Sequence, residues 1–414
     1  MGMIRQIPLE DFDSYLDIIV DAYPGMKIDS EEKKKKARAN MLLRRTDPRV
    51  SDWGFYQDHK MTGGLRLFDY TMNFRSTRIM TGGGGMLGVS LEHKKEHVAH
   101  DLMKHFVQYY RDKKAPIAIL WPFRPDFYKK MGFGYGSRMY QYRIKPEHLP
   151  SSDERKKVRF LARDDVPALK ICYNSVAERT HGMIDETDLG WQIIFELGQP
   201  IRYAGYFSEG TLEGYIVFDS ESGKGGFLRN NIRLVRCLYR TPSALAGLLG
   251  FLHTQADQFD YITYNTHEDN LFYFLKDIRS SDNLLAPVFH ESSTCGIGLM
   301  FKVIDVPALF GNEAISFGDQ SCRIKFNITD AFTPENSGNL IVEFQNGRAH
   351  MIEGGAVEAT VTIDISDFSS LVMGSVTFDE LLRYGLAKIS NSEMAATVND
   401  LFAVESRPVC YTMF

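Results

Sequence analysis

Residues 82–103 read GGGGMLGVSLEHKKEHVAHDLM, and this stretch decides the fold. Its glycine-rich first part continues into apolar residues and predicts a strand that ends near Val89. A polar turn with Lys94 and Lys95 follows, and it leads directly into a helix predicted at Lys95–Arg111. The first N–H groups of a helix have no partner within the helix and lie at the positive end of its dipole. The order therefore suits a bound phosphate, although basic turns also occur in ordinary strand-to-helix loops.

A second pattern follows further along the chain. The apolar strand IAILWP (117–122) leads into RPDFYKKMGFGYG (124–136). A short helix is predicted at Asp126–Met131, where the aromatic pair Phe127 and Tyr128 lies, and Gly132 ends it. Taken alone, such a pair is also typical of an ordinary core.

The rest of the first 150 residues alternates between strands and helices. Strands are predicted at Met3–Ile7, Trp53–Gln57 and Thr62–Phe68, and a helix at Leu9–Ala22. A further helix is expected to begin at Ser30, where a small polar residue precedes two acids. This alternation predicts a mixed α/β sheet.

The pattern then restarts after residue 150. Residues 159–182 copy the strand, acidic turn and helix of residues 4–25, and residues 201–219 copy the hairpin of residues 53–70. We interpret this as a tandem duplication of one fold. Where the basic turn should recur, the second copy has Pro242 and no basic cluster, so we expect it to be structural.

The last segment has strands followed by helices, which indicates a separate α+β domain. Strands are predicted at Ile324–Ile328, Leu340–Phe344 and Ala359–Ile365, and helices after them. The chain ends in the apolar sequence VCYTMF, although most termini are polar and frayed.

Composition narrows the class of protein. The 414 residues are 44% hydrophobic and 24% charged, as expected of a globular chain with several domains. A net charge of -5 gives no general attraction to nucleic acid or to an anionic membrane. No apolar run suggests a membrane span or a signal peptide. Five scattered cysteines without a CxxC pair argue against zinc and favour a reducing cytoplasm.

The joint order of strand, basic turn, helix, strand and FYKKMGF resembles the GNAT acetyltransferase superfamily. Over the full length the chain resembles the Eis (enhanced intracellular survival) family. There, a catalytic GNAT domain is followed by a degenerate GNAT domain and a domain similar to sterol carrier protein type 2. The carrier match rests on ATVTIDISDFSSLVMGSVTFDELLRYGLAKIS (359–390). The resemblance implies tandem α/β GNAT domains at 1–149 and 150–300 and a carrier-like α+β domain at 301–414.

The resemblance also implies an N-acetyltransferase that uses acetyl-CoA and no metal. The implied cofactor-binding residues form three groups. The strand that contacts the pantetheine arm has Leu87, Gly88 and Val89. The turn that holds the pyrophosphate and the helix start after it have His93, Lys94, Lys95, Glu96, His97, Val98, Ala99 and His100, and a further contact has Phe123 and Arg124. Tyr128 matches the family's general acid, and the free carboxylate of Phe414 its general base.

Two features of this match need explanation. His97 stands where the family has Gly, and its side chain must point away for the backbone to approach phosphate. Phe414 is the terminal residue, and we expect the tail to run into the first domain, with Tyr411 and Phe414 as buried anchors. The alternative is that Val409–Phe414 forms a final edge strand of the third domain.

Three functions remain open from the sequence. The first is acetylation of cationic small amines, such as aminoglycosides or polyamines, in a narrow acidic pocket. The second is acetylation of lysine in proteins or peptides, which requires a shallow open groove. The third, and least favoured, is a lipid-carrying protein, which requires an apolar tunnel in residues 301–414. The histidines at 93, 97, 100 and 105 are interpreted as a solvated basic face. The resemblance implies a homohexamer.

Overall fold

The structure is a computed structural model that describes residues 2–195, 201–223, 229–281, 283–286 and 288–414. The chain folds into two compact units. The first contains residues 1–136, 180–187 and 299–414, and the second contains residues 137–179 and 188–298. The boundaries expected at residues 149 and 300 therefore stay a prediction about sequence modules, because each compact unit combines separate segments of the chain.

The helices and strands of the described residues are numbered in chain order. The helices are α1 Phe12–Ala22, α2 Glu31–Arg45, α3 Val98–Asp112, α4 Pro125–Lys129, α5 Val166–Ala177, α6 Asp188–Ile193, α7 Pro242–His253, α8 Val306–Phe310, α9 Ile365–Val372, α10 Phe378–Arg383 and α11 Ala395–Phe402. The strands are β1 Met3–Gln6, β2 Val50–Gln57, β3 Lys60–Phe74, β4 Thr77–Val89, β5 Ile117–Leu120, β6 Gly134–Tyr135, β7 Arg138–Ile144, β8 Val158–Phe160, β9 Arg202–Ser208, β10 Thr211–Ser222, β11 Asn230–Tyr239, β12 Phe259–Thr266, β13 Leu284–Ala286, β14 Phe289–His290, β15 Thr294–Ile297, β16 Met300–Val303, β17 Cys322–Thr329, β18 Gly338–Gln345, β19 Arg348–Ile352, β20 Ala359–Asp364 and β21 Ala387–Ile389.

A seven-stranded sheet in the order β1-β2-β3-β4-β5-β16-β6 forms the centre of the first unit. Strands β1 to β4 are antiparallel, and β4 runs parallel to β5 through the crossover helix α3. The glycines of β4 let α3 pack closely. A Cβ on Gly82 would lie 2.3 Å from the Tyr110 ring, and a Cβ on Gly84 would lie 2.9 Å from the Phe106 ring.

The second unit contains a sheet in the order β15-β7-β12-β11-β10-β9-β8. Strand β11 runs parallel to β12 through the helix α7, so the strand–helix–strand layout of β4, α3 and β5 occurs again. Thr241 caps α7 by accepting a hydrogen bond from the Ala244 amide, as expected at a helix start. Strand β7 follows β6 directly in the chain but belongs to this sheet rather than to the first.

The C-terminal part of the first unit has a five-stranded sheet in the order β19-β18-β17-β20-β21. Its interior contains a cluster of six phenylalanine rings, whose neighbouring centroids lie 5.5 to 6.5 Å apart: Phe310, Phe317, Phe326, Phe344, Phe368 and Phe402. These rings are at most 4% exposed. The interior of this part of the chain is therefore packed with aromatic rings.

Most elements lie where the sequence predicts them with bounds that differ by a few residues, and the start of α3 differs for a physical reason. The helix expected from Lys95 begins at Val98, because Lys95 and His97 have left-handed backbone conformations with φ of 69° and 63°. Ser30 caps α2 as expected, since its hydroxyl accepts from the Lys33 amide. Among the described residues, no helix is long and apolar enough to cross a membrane.

Candidate active site

A cavity of about 170 Å³ opens in the first unit. Its walls come from β4, the end of β5, the short helix α4, the residues after α1 and the C-terminus. The lining side chains and backbone are those of Tyr23, Met26, Leu65, Gly84, Gly85, Met86, Leu87, Met103, Leu120, Trp121, Tyr128 and Phe414. Of the residues predicted for the site, Leu87, Tyr128 and Phe414 share this cavity.

The cavity lies where β4 and β5 separate. The two strands pair from Thr81 to Gly84 on β4, while β4 itself continues to Val89. Within the described chain, no strand pairs with the last residues of β4 on the β5 side. Their backbone groups on that side are therefore available to an extended ligand, which can pair with them as a further strand would.

A β-bulge distorts β4 at the same place. Met86 and Leu87 together lie opposite Leu65 on β3, and Met86 has a positive φ of 48°. The Tyr15 hydroxyl donates to the Met86 carbonyl at 2.9 Å, and the Tyr23 hydroxyl donates to the Leu87 carbonyl at 3.0 Å. These tyrosines come from α1 and its C-cap, and they hold the bulge in place.

Sequence reasoning missed Tyr15 and Tyr23. One signal was available, because the two residues are eight positions apart and so lie on one face of the α1 pattern. Sequence reasoning also missed Trp121, which lines the cavity at the end of β5.

The predicted pantetheine strand ends β4. Leu87 and Val89 are buried, and Gly88 pairs with Gly64 of β3. A Cβ on Gly88 would lie 2.9 Å from Ile18 of α1, so the close packing of α1 explains the glycine. The other edge of this strand faces the gap beside β5.

The predicted phosphate turn lies between β4 and α3. Lys94, Lys95, Glu96 and His97 are exposed. No ion pair engages either lysine within the part of the chain that the structure describes. His97 is the N-cap of α3 and has a left-handed conformation with φ of 63°, which glycine adopts more readily than other residues. The His97 side chain contributes no hydrogen bond to the helix start, so the first N–H groups of α3 have no partner from this cap.

The first turn of α3 continues this site. Val98 is buried beneath it, and Ala99 and His100 are half-buried. His100 lies 3.1 Å from an Asp101 carboxylate oxygen, and His93 lies 2.9 Å from a Glu96 oxygen. Among the described residues, no group of three or more histidine, cysteine or acidic side chains is placed to hold a metal ion.

Two further predicted contacts lie just before α4. Phe123 is 58% exposed, and its ring lies 5.7 Å from that of Tyr128. Arg124 is the N-cap of α4 and pairs with Asp126 at 2.5 Å. Both side chains extend toward solvent and stay outside the cavity lining.

Tyr128 is held in an aromatic environment. It is 3% exposed, and the rings of Phe123, Phe127 and Phe133 lie 5.2 to 6.2 Å from its own. Burial raises the pKa of the Tyr128 hydroxyl well above its ordinary value, and the nearby Tyr23 adds to the rise. The hydroxyl therefore stays protonated near neutral pH.

The C-terminal tail runs along the first sheet. Residues 403–414 form no strand, so the edge-strand alternative is wrong. The Val409 amide donates to the His181 carbonyl at 2.8 Å, and the Trp121 indole donates to the Thr412 carbonyl at 3.2 Å. Cys410 and Thr412 are the buried anchors, whereas Tyr411 and Phe414 are only half-buried. The expectation that Tyr411 and Phe414 are the buried anchors of the tail is therefore wrong.

The Phe414 carboxylate lies beside β4. A Cβ on Gly85 would lie 3.2 Å from the terminal carboxyl carbon, so the glycine lets the carboxylate approach the strand closely. The Phe414 ring packs against Phe68 at 5.5 Å and Tyr70 at 5.1 Å. Phe414 and Tyr128 therefore lie on the wall of the same cavity.

A second carboxylate lies near the tail. Ile184 pairs with Met72 of β3 in an antiparallel bridge, and the same register brings Glu186 opposite Tyr70. Burial raises the pKa of the Tyr70 hydroxyl, and the Glu186 carboxylate is the next largest cause of the rise. Arg44 and Arg49 act weakly in the opposite direction. Glu186 thus contributes a negative charge near Tyr70, whose ring packs against that of Phe414.

Comparison with known families agrees with this geometry. Two segments match models described as an acetyltransferase (GNAT) domain, residues 3–136 and residues 179–290. Residues 306–411 match a sterol carrier protein domain. The predicted duplication and the carrier-like third domain are thereby confirmed. No curated protein matches the chain.

Several solved structures share the whole fold. A GCN5-related N-acetyltransferase from Anabaena variabilis is 18% identical with a TM-score of 0.80. A protein from Enterococcus faecalis, described as a probable N-acyltransferase, is 18% identical with a TM-score of 0.78. Eis1 from Mycobacterium abscessus is 16% identical with a TM-score of 0.77. Each alignment covers 100% of both chains.

Proposed function

The chain belongs to the GNAT superfamily of acetyltransferases and has the domain organisation of its Eis family, and from this premise we propose its substrates. It transfers acetyl from acetyl-CoA to the amino group of cationic small molecules, such as aminoglycosides or polyamines. One observation carries the proposal: a single cavity joins the free edge of β4, Tyr128 and the Phe414 carboxylate.

The residues around the cavity fit acetyl-CoA. The unpaired edge of β4 beside Leu87 and Val89 can hydrogen-bond the amide groups of the pantetheine arm. The start of α3 and the exposed Lys94 and Lys95 suit its pyrophosphate. When bound, acetyl-CoA supplies an electrophilic thioester carbonyl.

The chain's own residues then move the protons. A substrate amine reaches the site mostly as ammonium, because alkyl amines have pKa values near ~10.4. The Phe414 carboxylate holds this cation and accepts its proton, directly or through water. A backbone N–H near Val89 stabilises the negative charge that develops on the carbonyl oxygen.

Tyr128 donates a proton to the departing thiolate. The raised pKa of Tyr128 makes it a weaker acid than a tyrosine in water. The same burial disfavours the thiolate, since desolvation raises the pKa of any acid that becomes an anion. The two pKa values therefore rise together, and the transfer stays feasible.

The charges around the cavity favour a cationic small substrate over the alternatives. Phe414 lines the small cavity, and Glu186 adds a carboxylate near Tyr70, whose ring packs against that of Phe414. A peptide lysine needs an open groove instead. The packed phenylalanine cluster of the carrier-like domain argues against lipid carriage.

A thiol-release assay tests the proposal. Purified protein is given acetyl-CoA with aminoglycosides, polyamines, a lysine peptide or no acceptor, and free CoA thiol is measured. We expect turnover with at least one polycation and little with the peptide. Turnover with the peptide alone would support the lysine acetyltransferase instead.

The variant Glu186→Gln tests the choice of cationic substrates. Loss of one carboxylate near the amine should raise the KM for a polycation by about tenfold, with kcat changed less than about twofold. Glu313→Gln removes the same charge at an exposed position and is the matched control. If Glu186→Gln and Glu313→Gln have the same KM for the polycation, Glu186 does not contribute to substrate binding.

We also propose a homohexamer that works in the cytoplasm. The family resemblance supports the hexamer, and the scattered cysteine thiols support the cytoplasm.

The β13–β14 hairpin in the second unit exposes four apolar side chains, at 59 to 74% exposure: Leu284, Leu285, Val288 and Phe289. Such a patch is typical of a surface that another protein covers. Light scattering on Leu285→Glu with Phe289→Glu should show dissociation; an unchanged mass would exclude this hairpin as the interface.

A further inference from the structure

The helix that carries Tyr128 is too short to be stable alone. It has five residues, whereas isolated helices need roughly 12–15 residues to persist in water. Its position must therefore come from contacts with other elements. The last carbonyls of a helix lack partners within the helix, so they are the natural place for such contacts.

A buried ammonium reaches the end of this helix. Lys302, on β16, is 0% exposed, and its Nζ donates to the Met131 carbonyl at 2.8 Å. Gly132 makes this approach possible, because a Cβ at that residue would lie 2.6 Å from Nζ. Gly132 also has a φ of 85°, which favours glycine.

An acid in the carrier-like domain balances this charge. Asp330 lies 2.8 and 3.0 Å from Lys302 Nζ and is also fully buried. Its oxygens accept further hydrogen bonds from the backbone amides of Phe332 and Thr333 and from the side chain of Asn336. The carboxylate is thus satisfied on several sides and holds Lys302 at one place.

A second ion pair holds the same helix. Lys129 donates to Asp367 at 2.7 Å and to Ser366 at 3.2 Å, and both partners begin α9 of the carrier-like domain. Phe332 extends the contact, because its ring lies 5.2 Å from that of His100 in the first turn of α3. The carrier-like domain therefore contacts both α4, which carries Tyr128, and α3, which follows the phosphate turn.

We infer that Lys302 and Asp330 are positioning residues that fix Tyr128 against the thiolate. The carrier-like domain then serves as part of the acetyl-transfer site. A purely stabilising role does not require this chemistry, since apolar residues replace buried ion pairs with little or no loss of stability. Displacement of α4 should lower the rate of turnover strongly, because a misplacement of about 1 Å can reduce a rate by ~10²-fold. The inference rests on the proposed role of Tyr128.

A double-mutant cycle tests it. Lys302→Met keeps the aliphatic stem, and the paired Asp330→Asn avoids an uncompensated buried carboxylate. The pair is introduced into the natural sequence and into Tyr128→Phe, and kcat and the KM for acetyl-CoA are measured. In the natural sequence we expect the pair of substitutions to lower kcat about tenfold or more. In Tyr128→Phe we expect it to lower kcat less than about twofold, and the KM for acetyl-CoA should be unchanged in both cases.

The outcomes separate the inference from the proposed function. Equal losses of kcat in the two backgrounds, or no loss in the natural one, would overturn the positioning role while Tyr128 remains the acid. Full activity of Tyr128→Phe alone would overturn both the positioning role and the proposed role of Tyr128 as the acid. This result is obtained before the Lys302 and Asp330 substitutions are introduced.

A milder pair covers the case in which the buried variant fails to fold. Lys129→Met with Asp367→Asn removes the partly exposed contact on the same helix. Its loss of kcat should be about threefold and should also disappear in Tyr128→Phe. Lys113→Met with Asp69→Asn removes a comparable 2.6 Å pair at the far end of α3 and should change kcat by less than about twofold. A threefold loss that persists in Tyr128→Phe would overturn the inference.

Discussion

Tyr128 lines the cavity although its side chain is almost fully buried. Aromatic neighbours on three sides fix the ring, so replacement by phenylalanine should keep the packing and remove only the hydroxyl. We expect Tyr128→Phe to lose about 10²-fold or more in kcat, as for a lost general acid, with the KM for acetyl-CoA changed less than about twofold. Steady-state kinetics measure both values.

A neighbouring tyrosine provides the control for this variant. Tyr135 lies in the same sequence motif but is 36% exposed and does not line the cavity. Tyr135→Phe should therefore turn over at nearly the natural rate. If Tyr128→Phe does the same, Tyr128 is a packing residue only.

The raised pKa of Tyr128 also predicts a pH profile. The folded protein holds the hydroxyl proton more tightly than water does, so the acid form persists up to and beyond the ordinary value of about 10. With a substrate whose amine stays protonated over this range, the value of kcat/KM should not fall before about pH 10, because Tyr128 keeps its proton. A descending limb between pH 7 and 9 would contradict Tyr128 as the acid, provided that the protein remains folded there.

Residues in local patterns could be predicted from the sequence, and residues with distant partners could not. Lys94, His97 and Tyr128 belong to strand, turn and helix signals within a few positions. Tyr15 and Tyr23 instead donate to carbonyls 71 and 64 residues further along the chain. No spacing in α1 specifies those partners, because they depend on how α1 packs on the sheet.

At the scale of elements, the turn before α3 is the part of the site with the clearest electrostatic test. Its two lysines are exposed and lie next to a helix start. Reversal of both charges, Lys94→Glu with Lys95→Glu, should raise the KM for acetyl-CoA at least tenfold, or about 1.4 kcal/mol. Kinetics at low and high salt should show a larger effect at low salt, where charges are screened less.

The same reversal elsewhere controls for a change in net charge. Lys35→Glu with Lys36→Glu alters α2 and should leave the KM for acetyl-CoA within about twofold of the natural value. If the two double variants behave alike, the effect is one of overall charge, and the turn does not bind phosphate.

The exchange of strands between sheets shows where sequence patterns stop being informative. β7 directly follows β6 in the chain, yet it pairs with β12 and β15, while β16 completes the first sheet beside β5. Alternating apolar residues predict that each segment is a strand. They do not specify its neighbour, because any half-buried strand can satisfy the same edge.

At the scale of the whole molecule, the N-terminal and C-terminal segments belong to one compact unit. Met300–Val303 lies within the first sheet, and the tail returns to β4 after the carrier-like domain. Sequence reasoning could predict that the tail is ordered, from its apolar composition. Its path depends on the Trp121 and His181 contacts, which come from distant parts of the chain.

This arrangement predicts that the enzyme requires a free carboxylate at the position of residue 414. Deletion of Phe414, or a C-terminal peptide tag, removes the free carboxylate from its place beside Gly85. Turnover should fall by at least about 10²-fold, as for a lost general base. The melting temperature should change by less than about 2 °C, because Cys410 and Thr412 still anchor the tail and Phe414 itself is only half-buried.

Two matched variants isolate the carboxylate from the rest of the tail. The same tag at the N-terminus should leave turnover intact. Phe414→Leu keeps the chain length and the terminal carboxylate but loses the ring contacts with Phe68 and Tyr70, so it should retain most of the activity. If the C-terminally tagged enzyme turns over normally, the carboxylate is not the base, and a side chain of the first unit must accept the proton instead. If Phe414→Leu is as inactive as the deletion, the ring rather than the carboxylate is what the site requires.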